Sequence, residues 1–88
     1  MKVSQEMILR EIAGENILIP VGTMALKVHG MGRLSESGLF LWNRMQTDCT
    51  REELEDALLA EYQTDRDTAR KDVDEFLRQI REAGLLTE

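Results

Sequence analysis

Asp65-Arg66-Asp67-Thr68-Ala69-Arg70-Lys71-Asp72-Val73-Asp74-Glu75-Phe76-Leu77-Arg78-Gln79-Ile80-Arg81-Glu82-Ala83-Gly84 is the stretch on which the fold turns. Ala69, Val73, Phe76, Leu77 and Ile80 recur at helical steps among charged residues, so one face of a helix is buried and the rest is solvated. Asp65 is placed to cap its first turn, and Gly84 to end it in a left-handed conformation. Leu85-Leu86 can then fold back on the last turn. Upstream, Thr50-Arg51-Glu52-Glu53 is a capping box, in which Thr50 and Glu53 satisfy each other's backbone donors. It opens a helix with Leu54, Ala57, Leu58 and Tyr62 on its inner stripe. Ser35, followed by Glu36 at the positive end of the helix dipole, opens a further helix. Leu39, Trp42 and Met45 share one face of it, widened by Phe40 and Leu41.

The chain changes character before residue 35. Met7-Ile8-Leu9-Arg10-Glu11-Ile12 reads as a strand, Ala13-Gly14-Glu15-Asn16 carries turn chemistry, and Asn16-Ile17-Leu18-Ile19-Pro20-Val21 reads as a second strand. Pro20 cannot donate to a ladder and belongs at an edge or a strand end. A third extended region is expected in Ala25-Leu26-Lys27-Val28 and Met31-Gly32-Arg33-Leu34, bent at His29-Gly30. The expectation is one α+β domain over residues 1–88, with a small N-terminal three-stranded antiparallel sheet followed by three helices. A winged helix-turn-helix satisfies that pattern.

With 88 residues, 42% of them hydrophobic, there is material for a single compact core. One cysteine closes no disulfide and builds no cysteine-based zinc site. Met1-Lys2-Val3-Ser4-Gln5-Glu6 lacks an apolar targeting segment, and the apolar run at Ile17–Val21 is far short of a bilayer span. A cytoplasmic protein without membrane association is expected. Seventeen acidic residues against eleven basic ones give a net charge of −6, which repels phosphate backbones and anionic lipid.

Several segments together resemble the PqqD-like family. They are Ile19-Pro20-Val21-Gly22, Leu34-Ser35-Glu36-Ser37-Gly38 with Trp42, Thr50-Arg51-Glu52-Glu53-Leu54, Tyr62, Ala69, Asp72-Val73, Phe76-Leu77, Ile80 and Gly84-Leu85-Leu86. The similarity spans residues 8–86. The family's usual Asn-Glu-Thr-Gly-Ala is here Ser35-Glu36-Ser37-Gly38-Leu39; Ser caps a helix about as well as Asn, so the fold expectation is unaffected. The resemblance implies a RiPP recognition element. Such a non-catalytic domain holds the leader segment of a ribosomally made precursor peptide between its third strand and third helix. In natural product biosynthesis it acts as a peptide chaperone for a modifying enzyme, in some pathways a radical S-adenosylmethionine enzyme. No cofactor is implied, and a monomer or weak homodimer is expected.

The residues agree with that implication. His29 and Cys49 are the only members of their types, and a Cys–His pair without an orienting third group is not a catalytic set. Gly30 and Gly32 lack the helix-opening context of a phosphate loop. Arg70–Asp74, Asp67–Lys71, Lys71–Glu75 and Asp74–Arg78 are spaced as solvated ion pairs on a helix. The alternative, a winged-helix DNA-binding regulator, would use Arg66, Arg70, Lys71, Arg78 and Arg81. Asp67, Asp72, Asp74, Glu75 and Glu82 interleave with them and cancel their field. Met7, Met24, Met31 and Met45 suit either an adaptable surface or core filling, and Trp42 is assigned to the core. An exposed edge strand, by contrast, can accept an extended peptide as an added strand. The strand-side groups expected to meet it are Leu26, Val28, Met31, Arg33 and Leu34. The helix-side groups are Arg70, Val73, Asp74, Leu77 and Arg78, with Val73 and Leu77 shared with the core.

Overall fold

A tight hairpin begins the main sheet. Strand β2 (Met7–Ile12) returns as β3 (Glu15–Pro20) through a two-residue turn in which Ala13 and Gly14 both have positive φ, +53° and +80°. That turn type matches the right-handed twist of the flanking strands. Leu9 stands opposite Leu18, and this alternation aims Met7, Leu9 and Leu18 at the core. The computed structural model describes residues 1–27 and 32–87. A third strand, β4 (Gly32–Leu34), pairs antiparallel with β3, with Arg33 opposite Ile17, giving the order β2-β3-β4.

The third extended region differs from its expected form. Met24–Lys27 is a short helix, α1, and Leu26 on it is 83% exposed. The cause lies outside the segment. The Glu6 carboxylate accepts from the Met24 N–H at 2.8 Å and from the Thr23 hydroxyl, while Gly22 turns the chain at φ +60°. This side-chain cap satisfies the donors that a strand would have had to pair. Val28, His29, Gly30 and Met31 lie outside the described residues.

Helix α2 (Glu36–Arg44) is capped by the Ser35 hydroxyl, which accepts from Gly38 N–H. Helix α3 (Arg51–Glu61) begins at the Thr50–Glu53 capping box, with both reciprocal bonds formed. Helix α4 (Arg66–Glu82) is capped by Asp65 and ends at Gly84, φ +76°. The Leu85 N–H reaches back to Ile80 O at 2.8 Å, and Gly84 N–H to Arg81 O, satisfying two terminal carbonyls. Buried Glu55 is paired with Arg66, which also holds Asp56 at 2.9 Å, and together they pin the corner between α3 and α4.

The terminal segments add a ladder beyond the expected three strands. β1 (Lys2–Val3) pairs with β5 (Leu86–Thr87), so Leu86 continues past the helix turn as a strand. Val3 is fully buried, and its N–H donates to Met45 O at 2.9 Å. One core unites this ladder with the sheet and helices through Val3, Leu18, Trp42, Leu58, Phe76 and Leu85, among others. Trp42 and Met45 belong to it, as the helical pattern required.

Candidate peptide-binding groove

Strand β4 lies at the edge of the sheet, with β3 on one side and no described strand on the other. A hollow of about 130 Å³ separates it from α4. Its floor is apolar: Leu34 from β4, Gly38 and Leu41 from α2, and Phe76 from α4. Its rim is polar, formed by Arg33, Ser35 and Ser37 on one side and Asp72, Glu75 and Gln79 on the other. Gly38 sits in the first turn of α2, where a Cβ would come within 3.2 Å of Ser35 Oγ and 3.5 Å of a Leu34 methyl. Glycine is a weak helix former, and this close approach explains its presence there.

Charges around the hollow are largely paired. Arg33 reaches Glu15 at 2.6 Å. Arg78 grips both Glu75 and Glu82. Its hydrogen bonds hold the Glu75 carboxyl below the usual carboxylate range, and those carboxylates push the guanidinium's own pKa upward. The Gln79 amide also donates to Glu75, at 3.1 Å. Asp72 makes no ion pair among the described residues.

The expected site residues are only partly brought together here. Arg33 and Leu34 line the hollow. Leu26 projects from α1 into solvent instead of from a strand, and Val28 and Met31 are outside the described residues. Val73 and Leu77, 0% and 2% exposed, are core residues and present no side chain to the hollow. Asp74 is held by Arg51 of α3, not by Arg70 or Arg78. Arg78 borders the groove only through Glu75, and Arg70 is exposed on the side of α4 that carries Asp74. The helix-side residues that do face β4 are Asp72, Glu75, Phe76 and Gln79, a separate i, i+3, i+4, i+7 stripe. Sequence reasoning missed them, although that spacing and the early Gly38 were visible signals.

A larger hollow of about 440 Å³ lies where α2 meets α3, lined in part by Arg44, Asp48, Cys49, Glu53 and Asp56. Despite its size it offers no described strand edge, and its charged groups are already committed. Asp48 binds the N-terminal ammonium, Asp56 binds Arg66, Glu53 closes the capping box, and Arg44 lies over the Phe40 ring. Burial pushes the Cys49 thiol up, away from the reactive thiolate. Among the described residues no group of three or more His, Cys, Asp or Glu is arranged to hold a metal ion. No described helix is long and apolar enough to cross a membrane.

Comparison with solved structures finds the same architecture in a protein described as TbiB1 in complex with the TbiA(beta) leader peptide. The two chains are 30% identical, with a TM-score of 0.76 over 98% of this chain and 94% of that one. A lasso peptide synthetase B1 complexed with its leader peptide superimposes with a TM-score of 0.74 at 14% identity, over 99% of this chain and 96% of the other, and so shares the fold. No curated protein matches the chain. The family described as coenzyme PQQ synthesis protein D (PqqD) matches residues 15–86, a span that includes both walls of the groove. By that match, the chain belongs to the PqqD family.

Proposed function

We propose that this chain is a non-catalytic domain that binds the leader segment of a ribosomally synthesised precursor peptide and presents it to a modifying enzyme. The observation that carries this reading is the outer edge of β4, unpaired by any described strand, standing across a hollow from α4. The 30% identical TbiB1, whose structure is a complex with a leader peptide, supports it. The guest adds as an extended strand beside β4. Main-chain hydrogen bonds provide generic affinity, and one inward-facing guest side chain enters the space over Leu34, Gly38 and Phe76. Because the leader orders as it binds, the dissociation constant is expected between high nanomolar and micromolar, about −8 to −9 kcal/mol. The modifying enzyme is a partner in the same cytoplasmic pathway, and the domain acts as a monomer or weak homodimer without cofactor. His29 and Cys49 take no chemical part, so alanine at either leaves affinity within about threefold.

The test is an NMR titration of the full chain with leader segments of candidate precursor peptides, the TbiA(beta) leader among them. Amide shifts are expected in residues 26–38 and 69–82. Shifts confined to residues 52–62, along α3 and its C-cap, would place the guest elsewhere and overturn the groove.

A further inference from the structure

The geometry points to a preference within this groove: the hollow between β4 and α4 is a pocket for one long basic side chain of the guest peptide, with Asp72 as its counter-charge. The inference rests on the peptide-binding reading above. About 130 Å³ is the share of roughly four water molecules, enough for one extended side chain. Leu34, Gly38 and Phe76 give the base of the hollow a small apolar surface for the methylene stem of lysine or arginine, and the larger, polar share of the lining suits its charged head.

The rim supplies the matching charge. Arg33 is neutralised by Glu15 at 2.6 Å, so the strand wall presents little net field. On the helix wall Glu75 shares Arg78 with Glu82, one cation against two carboxylates. Asp72, one turn earlier, is exposed and has no ion pair among the described residues. A neutral or acidic guest head would leave that carboxylate unmatched, whereas an ammonium or guanidinium would pair with it. Gln79 and the Ser35 and Ser37 hydroxyls can accept its remaining donors. The chain's overall net charge of −6 attracts such a guest at longer range.

A random dodecapeptide display library, selected on the immobilised full chain, provides the probe. Selected peptides are expected to share a Lys or Arg at one position of an extended motif. A double-mutant cycle then pairs Asp72→Asn with replacement of that basic residue by norleucine, which keeps the stem and removes the charge. Asp72→Asn should weaken the basic peptide about fivefold and the norleucine peptide less than about twofold, with an unchanged melting temperature. Equal losses on both peptides, or a selected motif lacking any basic residue, would overturn the pocket assignment. In either case, amide shifts in residues 32–38 and 72–79 would leave the groove itself standing. Failure to select any peptide, or shifts confined to other surfaces, would remove both.

Discussion

Replacing Leu77 by Ala separates the core face of α4 from the flank proposed to bind the peptide. Leu77 is 2% exposed and packed within the central cluster, so truncation removes buried methyl groups and leaves a cavity. Such changes cost about 3 kcal/mol, within a usual spread of roughly 2–5. A domain of 88 residues has a total stability on the order of 4–13 kcal/mol, so the loss is a large fraction of the whole. At about 4–8 °C per kcal/mol for a domain this small, the melting temperature should fall by about 12–24 °C. Urea denaturation should show a lower midpoint with an unchanged slope. If about 3 kcal/mol of stability remains, unfolded chain stays below about 1% at room temperature, and affinity for the leader should stay within about twofold. Gln79→Ala, on the rim of the hollow, should behave in the opposite way, leaving the melt within about 2 °C and weakening the peptide. A Leu77→Ala protein that melts like the parent but no longer binds would refute the division of α4 into a core face and a groove face.

The other predictions concern the local devices that hold the elements. Thr50→Ala removes the hydroxyl that accepts from Glu53 N–H and should lower stability by about 1 kcal/mol, read as a shift in denaturation midpoint; an unchanged midpoint would mean the box is dispensable. Ala13→Asn should raise stability by about 0.5–1 kcal/mol, because Ala13 is held at φ +53° where a β-carbon is crowded and Asn is better tolerated; a lower melting temperature would contradict the turn geometry. The Asp65 carboxyl is held below its ordinary 3.8 by hydrogen bonds from Thr68, and Glu75 below 4.5 by those from Arg78. Depressed folded-state values mean that their contribution is full above the ordinary values and is lost as pH falls from these through the lower folded-state ones. Stability should therefore be flat from about pH 7 to 5 and decline below about pH 4. Asp65→Asn, which keeps a capping oxygen but removes the charge, should make that decline shallower, and an identical acid profile would exclude Asp65 as a contributor.

The parts of this protein legible in the sequence are those whose physics is local. Ser35, Thr50 and Asp65 cap helices because each side chain reaches a backbone donor three residues on. Gly84 ends α4 because its backbone alone takes positive φ at little cost. The steps among Ala69, Val73, Phe76, Leu77 and Ile80 identified the inward face of α4, and all five are buried. The order and spacing of those signals also carried the family resemblance, which the match over residues 15–86 bears out.

The remainder depended on residues far apart in the chain. Met24–Lys27 is helical because Glu6 caps it from beyond the hairpin, a contact no window around Leu26 could contain. The β1–β5 ladder joins two two-residue strands from opposite ends of the sequence, too short to show any period. The helix residues that line the hollow differ from those expected there for a related reason. A hydrophobic stripe identifies the inward face of a helix, but its two polar flanks are equivalent until neighbouring elements dock. Packing of α3 along one flank paired Asp74 with Arg51, and β4 on the other turned Asp72, Glu75 and Gln79 toward the hollow. Only the tertiary arrangement distinguishes those flanks, because each is defined by a neighbour that the helix's own sequence does not contain.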